Sequence, residues 1–233
     1  MTKPICAVIG LGPGNGAALA RRFAAGGYTM ALLARTTEFS SNLAAELGDA
    51  RAYACDVTNQ ASVERAFASI RQDLGEVDAL IYNAGSGTWG SVEDISVDDF
   101  ELSWRINALG ALVAAQQVIP AMKQKGGGEI LFIGATASRR GGAKAAAFAP
   151  AKAAQRCLAE AMARHLWPLG IHVALVIIDG VVDLPKTRER MPDKPVEFFV
   201  KPEELADTAF MLTRQKRSAW SFEIEARPFG ENW

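Results

Sequence analysis

A chain of 233 residues with 49% hydrophobic and 22% charged residues has the composition of an ordinary globular protein and suits one domain that hides about three quarters of its unfolded surface. A formal net charge of −1 with interspersed acids and bases offers no field to hold a polyanion, which argues against a nucleic-acid partner. Cys6, Cys55 and Cys157 show no ligand or redox-pair spacing, His165 and His172 are the only histidines, and no apolar run approaches the roughly 20 residues that cross a bilayer; metal, disulfides and a membrane partner are not expected, and the unadorned start Met1-Thr2-Lys3-Pro4 points to a cytoplasmic protein.

Taken in chain order, Ile5–Ile9 is a short apolar run that reads as a buried strand. It leads straight into Gly10-Leu11-Gly12-Pro13-Gly14-Asn15-Gly16, after which Ala17-Ala18-Leu19-Ala20 opens a helix. Further strands are expected at 29–33, 51–55, Ala79–Tyr82, 130–133 and 172–178, with helices over 60–74, from a Ser96 cap toward Lys123, and over 150–167. Gly126-Gly127-Gly128 breaks the chain between two of these, the charged and proline-punctuated stretch 184–202 reads as a loop or mobile lid, and 218–226 supplies a last strand. Near-continuous apolar strands separated by helices describe a parallel sheet covered on both faces, reached through right-handed crossovers. The expected fold is a single-domain α/β protein with a Rossmann-type doubly wound sheet.

In that setting the glycine run has a specific use. Glycines allow a tight turn and close backbone approach, and the following helix presents unpaired N–H groups and a partial positive charge to an anion such as a pyrophosphate. A strand–helix turn that binds nothing is the alternative. At the end of the second strand, about twenty positions on, an acid would accept a bond from an adenosine ribose; here stand Arg35 and Thr36. An arginine there pairs with a 2′-phosphate and favours NADP(H) over NAD(H), unless it is simply a solvated strand-end residue.

Gly10-x-x-x-Gly14-x-Gly16, Asp56-Val57 after the third strand, Asn83-Ala84-Gly85 after the fourth, Asn107 within Arg105-Ile106-Asn107-Ala108-Leu109-Gly110, and Lys152 on the helix after the fifth together resemble the short-chain dehydrogenase/reductase family, across almost the whole chain. The resemblance implies that Asp56 and Val57 contact an adenine, that Asn83-Ala84-Gly85 support the central strand and a ribose, that Asn107 fixes a water-linked proton path at a helix distortion, and that Lys152 holds the nicotinamide ribose. It further places Gly180 and Val182 beside the nicotinamide and implies a homodimer or homotetramer, with Trp220, Phe229 and Trp233 as candidate anchors or else core aromatics.

The family normally carries a tyrosine four residues before that lysine and a serine thirteen before the tyrosine; here those positions are Phe148 and Ala135. A phenol beside an ammonium can deliver a proton to a nascent alkoxide, whereas a phenyl ring has none to give. Tyr28, Tyr53 and Tyr82 all lie in the amino-terminal half and cannot take its place. Thr136 and Ser138 are nearby hydroxyls that either polarise a substrate carbonyl or cap a turn. Asp179, followed by Gly180 and with Asp183 close behind, is a candidate proton donor if burial raises its pKa, and otherwise a turn former. The function expected is an NADP(H)-dependent oxidoreductase acting on a small molecule with nonstandard proton delivery. A noncatalytic dinucleotide-binding sensor or assembly subunit is the alternative, and redox-free chemistry by Asp179, Asp183 or Asn107 ranks behind both.

Overall fold

The computed structural model describes residues 2–85 and 87–230. Its order is β1 (Ile5–Ile9), α1 (Asn15–Ala25), β2 (Thr29–Ala34), α2 (Glu38–Leu47), β3 (Ala50–Ala54), α3 (Gln60–Asp73), β4 (Ala79–Tyr82), α4 (Val97–Trp104), α5 (Gly110–Lys125), β5 (Gly128–Ala135), α6 (Phe148–Leu166), β6 (Ile171–Ile178), β7 (Val181–Val182), α7 (Pro185–Arg190), β8 (Phe199–Val200), α8 (Pro202–Thr213) and β9 (Glu223–Ala226). Seven strands form one sheet in the order β3-β2-β1-β4-β5-β6-β9, every pairing parallel. The expected doubly wound sheet is therefore present.

Two apolar layers hold it. Every residue of β1, β4 and β6 is buried, as strands covered on both faces must be. One layer packs Val63, Phe67 and Ile70 of α3, Val118 and Met122 of α5 and Met162 and Leu166 of α6 on the sheet. The opposite layer uses Leu19 and Phe23 of α1, Leu43 of α2 and Leu205 and Leu212 of α8. The chain reverses its winding between β1 and β4, which lie side by side with Ile9 opposite Tyr82. Both strands thus end at the same level, and an α/β sheet opens its binding crevice at such a reversal.

Four expectations needed adjustment. The helix from Ser96 toward Lys123 is capped as expected, with the Asp99 N–H donating to Ser96 Oγ at 3.1 Å, but a π-helical turn over Arg105–Leu109 interrupts it. The last strand is shorter than 218–226, because Trp220 turns aside to stack on His172, 4.7 Å between centroids, before β9 begins. Phe148 and Ala149 join α6 ahead of Pro150, since a proline in the first helical turn removes no intrahelical bond. Segment 184–202 is not a bare loop. It carries α7, and β8 returns to pair with β7, while Arg188 and Asp183 form a two-pronged ion pair at 2.7 and 2.8 Å. Among the described residues no helix is long and apolar enough to cross a membrane.

Candidate active site

Glycine at two positions of the first loop is dictated by backbone packing. Gly10 has φ +84°, and a Cβ there would lie 2.4 Å from the Ala84 nitrogen; a Cβ on Gly16 would meet the Gly10 carbonyl oxygen at 2.8 Å. The two strand ends are tied by the Asn83 side-chain N–H, which donates to the Gly10 carbonyl at 2.8 Å. A Cβ on Gly12 would meet nothing within 4 Å, while one on Gly14 would strike Leu184 Cδ2 at 2.6 Å. The loop and the start of α1, whose first turn carries no acid, floor a cavity of about 520 Å³ roofed by Leu184, Pro185 and Lys186. An anion is favoured at such a helix start.

Two more cavities adjoin it. One of about 490 Å³ runs past Gly10, Asn83, Ala84 and Gly85 to Arg35, Asp56 and Val57. Asp56 is oriented by the Thr58 N–H and hydroxyl at 2.9 and 2.7 Å. Arg35 is exposed and has no carboxylate partner among the described residues, and Thr36 is exposed beside it without lining the cavity. The other, of about 500 Å³, shares Asn15, Asn83, Gly85, Val182 and Leu184 with the loop cavity and reaches Lys152, Phe148, Trp89, Thr136 and Gly180. End to end they make a groove along the carboxyl edge of the sheet, suited to an extended dinucleotide. Two buried acceptors in or beside it, Asn15 Oδ1 and Asn107 Oδ1, lack a partner; unpaired buried acceptors are costly and are expected to meet a donor. The residues present fit a dinucleotide laid along the groove between Asp56 and Lys152.

The π-helical turn positions Asn107, fully buried, with its side-chain N–H donating to Ser103 O at 2.8 Å. The widened turn is held from the sheet by Tyr82, whose hydroxyl donates to Ile106 O at 2.5 Å. Lys152, 4% exposed, sits across from it. Its Nζ donates to Ile133 O at 2.9 Å and to Gln155 Oε1 at 3.0 Å, and Gln155 Nε2 donates to Asn107 O at 3.0 Å. Burial pulls the Lys152 ammonium down to about 7, because an apolar surround disfavours the charged form.

The Phe148 ring leans on Trp89, 5.3 Å between centroids, and lies 6.0 Å from Lys152 Nζ. Ala135 lines the same cavity. Thr136 is the hydroxyl that faces it, yet its proton is directed to Ile178 O at 3.2 Å and to the Asp179 carboxylate. Ser138 donates to Ala135 O at 2.7 Å and lies outside this lining, the turn-capping arrangement. None of the three tyrosines lines the cavity, and burial pushes the Tyr82 phenol upward.

Asp179 corrects an expectation. Burial alone would raise its carboxyl, but the Thr136 hydrogen bond and the guanidinium charges of Arg227 and Arg140 outweigh it and hold the group below the ordinary carboxylate range. It is a charged clamp on Arg227, not a stored proton, and it does not line the cavity. Asp183 is likewise held low, first by its hydrogen bond from Arg188. Held ionised, neither aspartate suits the role of proton donor.

Trp220 packs within its own chain on His172 and Trp167, Phe229 is exposed, and Trp233 lies outside the described residues. Sequence reasoning missed Trp89, Leu184, Lys186 and Gln155. Only Gln155 left a signal: three positions after Lys152 on a helix, it faces the same way.

Comparison with known proteins agrees with this geometry. The family described as short chain dehydrogenase matches residues 4–194. Carbonyl reductase family member 4 of Xenopus tropicalis is 27% identical over 217 residues, covering 91% of each chain. Among solved structures, a short-chain dehydrogenase from Rhodopseudomonas palustris superposes with a TM-score of 0.84 at 32% identity, covering 97% of this chain and 99% of its own. An alcohol dehydrogenase from the archaeon Thermococcus sibiricus, complexed with 5-hydroxy-NADP, has a TM-score of 0.88 at 24% identity and 98% coverage of both chains, a likeness of fold.

Proposed function

The chain belongs to the short-chain dehydrogenase family, and on that premise we propose that it is an NADP(H)-dependent oxidoreductase acting on a small molecule without a tyrosine acid. The observation that carries this reading is the pairing of a complete dinucleotide groove with Phe148 at the position facing Lys152. Arg35, without a carboxylate partner at the adenosine end, supports a 2′-phosphate and so NADP(H) ahead of NAD(H). On this reading Gly180 and Val182 would wall the nicotinamide end, Lys152 would hold the ribose, and Asn107 would fix a water at the π turn.

When bound, the nicotinamide supplies or accepts a hydride at this end of the groove. The chain's own residues then orient the substrate. Reduction of a ketone needs a proton at the new alkoxide, and Phe148 and Ala135 offer none while Thr136 directs its proton to Asp179 and Ile178 O. An imine that arrives protonated, or an activated alkene protonated afterwards by water, asks less of the site. The lining by Trp89, Phe148, Ala135 and Leu184 suits an apolar substrate. Lys152 and Thr136 remain able to orient its polar atom. By family analogy the protein assembles as a homodimer or homotetramer, with Phe229 as the exposed candidate anchor.

The same absence of an acid favours a second reading, a noncatalytic dinucleotide-binding sensor or assembly subunit. Fluorescence titration with NADPH and NADH, followed by hydride-transfer assays on ketones, imines and alkenes with wild type and Phe148→Tyr, separates the two. Stereospecific transfer by wild type supports the enzyme. NADPH binding with no transfer to any acceptor class supports the sensor, and activity appearing only in Phe148→Tyr marks a silenced enzyme.

A further inference from the structure

Gln155 is fully buried beside two other buried polar residues, Lys152 and Asn107, and both ends of its amide are used. Its oxygen accepts from Lys152 Nζ and its nitrogen donates to the Asn107 main-chain oxygen, each at 3.0 Å. The other acceptor of Lys152 is Ile133 O at 2.9 Å. An amide oxygen and a main-chain carbonyl accept a hydrogen bond but carry no acidic proton to pass on. The rear of Lys152 is therefore closed by groups that hold an ammonium and cannot exchange with it, leaving the remaining N–H directed at the groove.

We propose that Gln155 is the residue that positions Lys152, anchoring its ammonium from behind and tying it to the Asn107 turn, so that its remaining N–H is held toward the cofactor groove. This rests on the dinucleotide reading of the groove. Among the described residues the groups that face Lys152 are neutral: Ile133 O from β5, Gln155 and Phe148 from its own helix, Asn107 from the π turn and Gly85 from the end of β4. With no countercharge nearby, the state of this one amine depends on desolvation and on what Gln155 offers it.

The test is the pH dependence of NADPH binding, read by fluorescence titration on wild type, Gln155→Glu, Gln155→Met and Lys152→Met. Wild type is expected to lose affinity as pH rises through the Lys152 transition near about 7, and Lys152→Met, which lacks the amine, identifies that step by losing it. In Gln155→Glu a carboxylate beside the ammonium favours the charged form, and the step should move up by about one pH unit or more; in Gln155→Met the acceptor is gone and the step should move down, with affinity at neutral pH falling several-fold. A merely structural role for Gln155 would lower affinity equally at every pH and leave the step in place, which overturns the proposal even if one variant folds poorly, since the other still reports. No binding of NADPH by wild type at any pH would defeat the cofactor reading and this proposal with it, whereas binding with an unmoved step defeats the proposal alone.

Discussion

The two ends of the groove are built under different rules. At the adenosine and phosphate end the backbone itself makes the site: Gly10 and Gly16 are forced by contacts of 2.4 and 2.8 Å, and Asn83 pins one strand end to the other. At the end that the proposed function gives to the nicotinamide, side chains make the site, and Phe148 and Ala135 stand in its wall. Backbone geometry resists change because it also holds the fold, while a side chain at a cavity wall can be replaced without disturbing the sheet. The difference teaches that binding and proton transfer are separable in this architecture, and that retention of the first is no guarantee of the second.

The sharpest way to break that comparison is at the backbone end. Gly10→Val places a β-branched side chain at φ +84° against the Ala84 nitrogen, and a loss of about 3 kcal/mol or more is expected in the denaturant midpoint; a neutral outcome would show that the loop relaxes freely. Next comes Lys152, whose amine is held near about 7 by burial against 10.5 in the unfolded chain. Below about 7 both states are protonated and the fold bears the full cost of the buried charge; as pH rises from there to about 10.5 the folded state sheds its proton and that cost fades. Lys152→Met should therefore gain stability relative to wild type at low pH, by roughly 2–4 kcal/mol more at pH ~6 than at pH ~10, as measured by urea unfolding at both.

Glu129 gives the mirror case away from the groove. Burial first, then the charge of Asp78, pushes its carboxyl up to about 7, so the wild-type fold loses stability as pH climbs from about 4.5 through that value. Glu129→Gln should be stabilising above pH ~7 by on the order of 1–2 kcal/mol and indifferent near pH ~4. At the adenosine end, Arg35→Ala should weaken NADPH binding about tenfold and leave NADH untouched, the size of a partly screened charge-assisted contact. Equal losses for both cofactors would remove Arg35 from phosphate recognition. The smallest effect is expected from Phe148→Tyr on stability, under about 1 kcal/mol in thermal unfolding, because the ring keeps its place against Trp89.

Much of the fold was legible because its signals are local. Ile5–Ile9 lies between Pro4 and Gly10 and Ala79–Tyr82 between Asp78 and Asn83, and Ser96 announces a helix by capping chemistry, so their positions follow from a few neighbours. The glycine loop was legible for the same reason. The π turn was legible only through the family resemblance, which implied a helix distortion at Asn107; Arg105–Leu109 itself is ordinary helical sequence, and the widened turn is held by Tyr82 reaching across from β4. Segment 184–202 hid a helix and a strand among prolines, since its order comes from Arg188 meeting Asp183 and β8 returning to β7. Asp179 was misjudged because its partner Arg227 stands 48 positions away, and a sequence offers no means of seeing a countercharge delivered by another strand. Trp89 and Leu184 escaped notice likewise: each matters through a tertiary contact, with Phe148 in one case and Gly14 in the other.

The central claim is that this site moves hydride without a tyrosine acid. The most direct measurement is NADPH oxidation by the wild-type protein with a cyclic imine and the ketone of matching carbon skeleton, followed by nicotinamide absorbance under the same conditions. Turnover of the imine at a pH where it is protonated, with the ketone left at least about a hundredfold slower, the scale of a lost general acid, is the expected result. Comparable turnover of the ketone by wild type would contradict the account, because a group other than a tyrosine, the Lys152 ammonium first among them, would then be delivering the proton that Phe148, Ala135, Thr136 and Asp179 do not supply.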